Sequence, residues 1–257
     1  MPARSNIEWK QWGKSDPLYG VASLDERNKR GLHPWTEEEF YAFGAQTWAE
    51  YRQQWENYGL ARKSCVEIGC GAGRITRQLA LYFDHVDAVD ISEEMIEYAK
   101  RNVDSRKASF HITDGQAVPL PGRSQSAAFS TDVFQHFNQL SYAEAYFAEL
   151  YRVLEPGGSM MVHLPVYTWP DAMNSVFTAL YRLWSLLDAA QAEARRLLIA
   201  AQIGRPFMFG IKFEVQRLYK YLSALGFQDI EIRYFENSAG EQGTSFRSYV
   251  FARKPRS

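Results

Sequence analysis

Short apolar runs alternate with amphipathic segments along the middle of this 257-residue chain. Five runs have the length and composition of buried strands, at residues 64–68, 85–90, 108–113, 126–132 and 159–165. Between them, residues 74–83, 92–101 and 141–153 carry apolar side chains at helical spacing. Residues 155–158, Glu-Pro-Gly-Gly, predict a sharp turn before the fifth strand. Strands that alternate with helices form βαβ units, so the pattern predicts a mostly parallel sheet covered by helices.

The two flanks of this alternation have different patterns. Residues 1–60 combine a polar, Trp- and Tyr-rich leader with a helix whose start is marked by Thr36 and Glu39, a capping box. Residues 172–201 predict one or two amphipathic helices, and a further helix is predicted at 214–225. The strand-like runs 227–235 and 246–254 are close enough to form an antiparallel pair. We therefore predict a helical N-terminal cap over 1–60 and an α/β domain over 61–257, with a helical insert at about 166–212.

Composition and charge narrow the class of protein. Apolar residues make up 46% of the chain and charged residues 23%, which is typical of a soluble globular protein. The formal net charge is −1 and no basic cluster is present, so a dedicated nucleic-acid binder is not expected. Cys65 and Cys70 form neither a disulfide framework nor a metal set, which favours a reducing cytoplasm and no metal site. No apolar run approaches the roughly 18 residues of a membrane span, and the polar first residues do not resemble a signal peptide.

A glycine-rich turn follows the first predicted strand. Gly69, Gly71 and Gly73 stand at alternate positions directly before a predicted helix. Glycine lets the backbone turn sharply and come close to a ligand, because it has no Cβ. The second strand ends at Asp90, about 20 residues further on, where a carboxylate can accept hydrogen bonds from ribose hydroxyls. A dinucleotide fingerprint would need glycine where Arg74 stands. A turn that only packs the helix on the sheet is the structural alternative.

With Glu67 before them, these glycines resemble the E-x-G-x-G-x-G loop of class I S-adenosylmethionine (SAM)-dependent methyltransferases. Residues 86–95, 150–158 and 225–227 resemble that family's second-, fifth- and sixth-strand signatures, in the same order. The resemblance implies an α/β fold with a three-layer, Rossmann-like sheet of seven strands, mostly parallel with the last strand antiparallel. It also implies SAM as the cofactor and methyl donor.

The resemblance further implies contacts with SAM. The expected contacts are Asp90 for the ribose, then Ile91, Met95, Asp114, Gly115 and Gln116 for the adenine, and Glu67, Gly69, Cys70, Gly71, Gly73, Arg74 and Asp132 around the methionine part. Structural alternatives stay open for several of these residues. The Asp-Gly pair is also a common turn, Ile91 and Met95 also suit a core, and Arg74 also suits solvent.

Methyl transfer is an in-line displacement that needs a base only when the acceptor must lose a proton. His136, just past the fourth strand, and His163, near the end of the fifth, are the candidate bases. Each histidine also suits a structural or cofactor-contacting role. By the same resemblance, the leader and the insert are expected to fold over the SAM site as a lid, with Tyr19 and the aromatic residues from Trp35 to Tyr51 lining the acceptor pocket. A purely structural role is the alternative for each of these aromatic residues.

We therefore expect a cytoplasmic methyltransferase, monomeric or homodimeric, that acts on an oxygen or nitrogen of a small molecule. Two alternatives remain at this point. One keeps SAM but uses it for carboxymethyl-SAM formation or a cyclisation. The other is a catalytically silent, SAM-binding partner or sensor protein.

Overall fold

The computed structural model describes residues 4–24, 27–104, 106–168, 211–237 and 245–256. The described helices are α1 (Arg4–Ser15), α2 (Pro17–Val21), α3 (Glu37–Tyr58), α4 (Thr76–Tyr82), α5 (Glu93–Asn102), α6 (Leu140–Val153) and α7 (Val215–Leu225). The described strands are β1 (Ser64–Ile68), β2 (His85–Asp90), β3 (Ala108–Ile112), β4 (Gln125–Ser130), β5 (Leu154–His163), β6 (Val166–Tyr167), β7 (Phe213–Glu214), β8 (Gln228–Asn237) and β9 (Ser245–Arg253). Among these helices, none combines the length and the apolar character needed to cross a membrane.

Seven strands form one sheet in the order β3-β2-β1-β4-β5-β9-β8. Strands β1 to β5 pair in parallel, whereas β9 pairs antiparallel with both β5 and β8. The predicted α/β fold, a mostly parallel seven-stranded sheet with its last strand reversed, is therefore confirmed. Strands β6 and β7 form a separate parallel pair. The parallel strands all end at one edge of the sheet, where ligands bind in folds of this type.

The predicted elements differ from the observed ones mainly at their ends. The capping box at Thr36 is present, and α3 begins directly after it. The sharp turn predicted at 155–158 is instead a bulge within β5, where Gly157 has a φ of 83°. Strand β4 pairs with β5 first at Gln125 and Leu154 and next at Ala127 and Ser159. The extra residues of β5 between these two pairs bulge out of the ladder. The helices predicted at 172–201 lie outside the described residues, as does most of the predicted insert.

Helices cover both faces of the sheet and make it a three-layer structure. On one face, α6 and α7 pack against apolar side chains of β1, β4, β5 and β9. On the other face, α3 and α4 pack against the alternate side chains of the same strands. The Trp55 ring of α3 is fully buried there, and its Nε1 donates to Ser159 Oγ at 3.1 Å. Helix α3 is thus held against the sheet by core packing.

The first two helices lie over the carboxyl edge of the parallel strands. Helix α1 packs so closely on the start of α5 that a Cβ on Gly13 would come within 2.4 Å of Ser92 Oγ. Tyr19 of α2 is buried, with its ring 5.8 Å from that of Trp12. These contacts place the N-terminal segment beside the ends of β1 and β2, which is where the glycine turn lies.

We expect Trp55→Ala to lower the free energy of unfolding by about 3–5 kcal/mol, because it empties a core site and removes the partner of Ser159 Oγ. Tyr234→Ala, at a side chain that is 57% exposed, serves as the control and should change the free energy of unfolding by no more than about 0.5 kcal/mol. Urea unfolding followed by circular dichroism measures both. A loss below about 1 kcal/mol for Trp55→Ala would mean that α3 is not a structural layer.

Candidate functional site

A cavity of about 290 Å³ opens at the carboxyl ends of β1, β2 and β4. The predicted site residues that line it are Glu67, Gly69, Cys70, Gly71, Arg74, Asp90, Ile91, Met95, Gly115, Asp132 and His136. The predicted site residues that do not line it are Gly73, Asp114, Gln116 and His163. The structure therefore gathers most of the predicted set around one cavity, although the elements that carry them are far apart in the chain.

The glycines of the turn serve two different structural purposes. Gly69 has a φ of 75° and Gly71 a φ of 53°, in the left-handed region that other residues avoid. A Cβ on Gly69 would lie 2.2 Å from Val133 Cγ2, and one on Gly71 would lie 2.5 Å from Val21 Cγ2. Gly73 faces α5 instead, where a Cβ would be 3.0 Å from the Cβ of Ala99. The first two glycines therefore shape the cavity wall, and the third allows close helix packing.

Asp90 fixes the turn to the start of α5. Its Oδ2 accepts from the backbone N–H of Gly71 at 2.8 Å, and its Oδ1 accepts from that of Ser92 at 2.9 Å. Burial raises the pKa of this carboxyl group, while the backbone donors act in the opposite direction. Each carboxylate oxygen keeps a second lone pair after these bonds. Because Asp90 lines the cavity, the remaining acceptors suit a vicinal diol such as a ribose.

Glu67, on β1 beneath the turn, is a second buried carboxyl group at the cavity. Its side chain accepts a hydrogen bond from Thr76 Oγ1 at 2.6 Å. Burial raises its pKa from 4.5 to about 7, while the Thr76 bond and the charge of Arg74 work against that rise. This carboxyl group is therefore poised to ionise when a cation binds beside it.

Asp132, just past β4, lies between two arginines and a histidine. Arg247 Nη1 donates to both of its oxygens at 2.9 Å, His163 Nδ1 is 3.2 Å from Oδ1, and Arg74 Nη2 is 3.7 Å from Oδ2. Burial opposes ionisation, yet Arg247 first and then His163 and Arg74 hold the pKa of Asp132 well below its usual range. Asp132 also has a φ of 59°, an unusual conformation for a residue with a side chain. Its charge and its backbone are therefore both fixed by the surrounding side chains.

Arg74 reaches the cavity from the end of the turn. It is 4% exposed, its Nη1 donates to Thr47 Oγ1 at 3.3 Å, and its guanidinium lies over the Phe43 ring at 5.1 Å. Among the described residues, its Nε is buried without a hydrogen-bond partner. A buried guanidinium whose Nε–H has no partner among the described residues suits an anionic ligand group.

The loop after β3 forms another end of the cavity. Gly115 lines it, and Asn6 Nδ2 of α1 donates to the backbone oxygen of Asp114 at 3.1 Å. The Asp114 side chain is exposed and accepts from the N–H of Gln116 at 2.9 Å, which is an Asx turn. The adenine contacts expected of Asp114 and Gln116 stay predictions.

The two candidate histidines lie in different surroundings. His136 lines the cavity, and its ring lies 5.1 Å from the ring of Trp9, with Nε2 3.1 Å from Gln135 Nε2. His163 lies behind Asp132, with its ring 5.1 Å from that of Tyr249. Only His136 of these two is therefore placed to touch a ligand in the cavity.

Several residues that line the cavity were not singled out from the sequence. These are Asn6, Trp9, Val21, Thr47, Tyr146 and Arg247. Phe43, which also lines it, belongs to the aromatic helix segment expected near the acceptor, whereas Tyr19 does not line it. No local pattern marks these positions, because they approach the turn only through tertiary packing of α1, α2, α3, α6 and β9. In the described part of the chain, no group of three or more His, Cys, Asp or Glu residues could hold a metal ion.

Comparisons with known proteins agree with this geometry. Residues 66–162 match the family model described as a methyltransferase domain. The chain is 33% identical over 150 residues to the malonyl-[acyl-carrier protein] O-methyltransferase of Hahella chejuensis, a stretch that covers 56% of this chain and 50% of that protein. It is 29% identical over 144 residues to a sterol 24-C-methyltransferase of Neurospora crassa, covering 54% of this chain and 33% of that protein. The chain thus spans half or less of the length of these two relatives.

Solved structures show the same fold. A SAM-dependent methyltransferase from Methanosarcina mazei superimposes with a TM-score of 0.56 at 19% identity, covering 78% of this chain and 97% of that one. A phosphoethanolamine N-methyltransferase from Haemonchus contortus, in complex with S-adenosylhomocysteine, gives a TM-score of 0.55 at 16% identity, covering 86% of this chain and 58% of that one. Taken with the sheet order, these similarities show that residues 66–162 match a methyltransferase domain and that the chain has the fold of SAM-dependent methyltransferases.

Proposed function

We propose that this chain binds SAM in the cavity and transfers its methyl group to an oxygen or nitrogen of a small molecule. The observation that carries the proposal is the Asp90 carboxylate, tied to Gly71 and facing the cavity beside the glycine turn. Methyl transfer is the activity named for both relatives, and it is favoured here over other uses of SAM and over a silent binding role.

The residues present fit SAM, which would supply an electrophilic methyl group carried by a sulfonium. Asp90 would bind the ribose hydroxyls. Glu67 would face the ammonium of the methionine part, and the spare donor of Arg74 would bind its carboxylate. Met95, buried at the cavity wall, would pack on the adenine. The protein's own work would be alignment and the exclusion of water, because the displacement is in line.

The chain would act in the cytoplasm as a monomer or homodimer and would not bind nucleic acid, in keeping with a net charge of −1. Residues 1–60 would act as a helical cap, since α1 and α2 contribute residues to the cavity wall. The insert at about 166–212 would act as a lid. Of the two histidines, His136 would contact the acceptor or the cofactor, and His163 would position Asp132.

Asp90→Asn should weaken SAM binding about 10- to 100-fold, because an amide offers one neutral acceptor oxygen where the carboxylate offers two that share a negative charge. Titration calorimetry of the purified chain with SAM and with S-adenosylhomocysteine measures the affinities. Asp104→Asn, at an exposed side chain paired with Arg106, is the matched control and should bind like the wild type. If the wild-type chain fails to bind SAM, the proposed function is wrong and only the fold remains.

Binding of SAM should release protons from Glu67. Its pKa is about 7 without ligand, and a neighbouring ammonium favours the ionised form, so SAM affinity should rise as the pH increases from about 6 to 7. Calorimetry at about pH 6.5 in buffers of different ionisation enthalpy should show release of up to one proton by the wild type and none by Glu67→Gln. Glu97→Gln, on the exposed face of α5, should behave like the wild type. Equal proton release by Glu67→Gln and the wild type would contradict this role.

A further inference from the structure

Arg247 is a cavity residue that the cofactor contacts leave unused. It stands near the start of β9, and because β9 runs against its neighbours, its first residues lie at the carboxyl edge of the sheet. Its side chain reaches Asp132 at that edge. It approaches the cavity from a strand that contributes nothing to the glycine turn or to Asp90.

The guanidinium of Arg247 uses only one of its nitrogens for Asp132. Nη1 donates to both carboxylate oxygens at 2.9 Å and lies 3.4 Å from Tyr51 Oη. Within the described ranges, Nη2 and Nε have no hydrogen-bond partner, and the side chain is 28% exposed. These two nitrogens form one edge of a planar fork, whose spacing matches the two oxygens of a carboxylate. Asp132 therefore holds the fork in place while one edge stays available.

The charges around this end of the cavity favour an anion. Arg247 and Arg74 both lie within 4 Å of Asp132, so two fixed positive charges share one negative charge. In the proposed function, Arg74 pairs with the carboxylate of SAM and Glu67 with its ammonium. Asp132 then balances Arg247, and the positive charge of the sulfonium has no fixed counter-charge. An acceptor with one negative charge would make this end of the cavity neutral.

We propose that the acceptor is a carboxylic acid, recognised in its ionised form by Nε and Nη2 of Arg247, and that the product is its methyl ester. This inference rests on the proposed function and specifies its substrate class. In the reaction, a carboxylate oxygen forms a bond to the methyl carbon, and the bond between that carbon and sulfur breaks. The electron pair of the broken bond stays on sulfur and yields S-adenosylhomocysteine. The negative oxygen and the positive sulfur are both neutralised, and no proton moves.

A carboxylate acceptor also needs no base from the described residues that line this end of the cavity, and His163 lies behind Asp132 and does not line it. Asp132 is a poor proton acceptor at neutral pH, because its ion pair holds its pKa well below the usual range. His136 is the one histidine among the described residues that line the cavity, and it packs against Trp9. An ionised acid has no proton to lose, so His136 then serves as part of the cavity wall.

The test compares acids with their uncharged analogues. Hexanoate, phenylacetate and monoethyl malonate, each beside its primary amide, are titrated into the full chain loaded with S-adenosylhomocysteine. At least one acid should bind about tenfold or more tightly than its amide. Arg247→Gln should remove that preference, and Arg247→Lys, which keeps the charge but loses the fork, should restore part of it.

With labelled SAM, the product should release its methyl group as methanol in alkali, as esters do and methylamines do not.

Two further variants separate recognition from folding. Arg247→Gln leaves the partly buried Asp132 charge without its main partner, so the double variant Asp132→Asn/Arg247→Gln removes both charges together and should fold while lacking the preference for acids. Arg217→Gln breaks an exposed pair with Glu144 outside the cavity and should keep that preference.

Each outcome has a definite meaning. The proposal is wrong if amides bind as well as acids, if Arg247→Gln keeps the preference, if no acid binds, or if the methyl group of the product is stable to alkali. Titration of the same samples with SAM distinguishes a failure of the Arg247 proposal from a failure of the proposed function. Wild-type chain that binds SAM but no acid refutes the role of Arg247 alone, whereas failure to bind SAM refutes the proposed function.

Discussion

The site depends on the hydrogen bonds that Asp90 makes with two stretches of backbone. Its carboxylate accepts from Gly71 in the glycine turn and from Ser92 at the start of α5, and so joins the ends of β1 and β2 across the sheet edge. The turn needs this support, because a segment with φ above zero at three glycines has little conformational preference of its own. One side chain thus fixes the shape of the cavity and also presents acceptors to it.

The opposite end of the cavity is stabilised by charge. Asp132 is held in an unfavourable backbone conformation, and its partly buried carboxylate is costly unless it is paired. Arg247 and Arg74 provide that pairing from β9 and from the glycine turn. Side chains from distant parts of the chain therefore converge on one residue and fix the position of its carboxylate at the cavity wall.

The sequence predicted the layers and most of the residues that gather around the cavity at the glycine turn, because both depend on local patterns. Strand and helix periodicity determines the order of elements, and glycines before a helix followed by Asp90 are close in sequence. The remaining features depend on tertiary packing. Gly73 looks identical to Gly69 in the sequence, yet one packs against α5 and the other bounds the cavity. No periodicity places Arg247 beside Asp132, 115 residues away.

The reversed direction of β9 has a consequence for how substrate preference can evolve. The side chains proposed to hold SAM come from residues 67–132, whereas Arg247 comes from the last strand. A change at the start of β9 alters the wall without touching the glycine turn or Asp90. In the proposed function, Asp90 and the glycine turn would bind the donor and Arg247 would select the acceptor, so these two parts of the site would be encoded in separate stretches of the gene and could diverge separately.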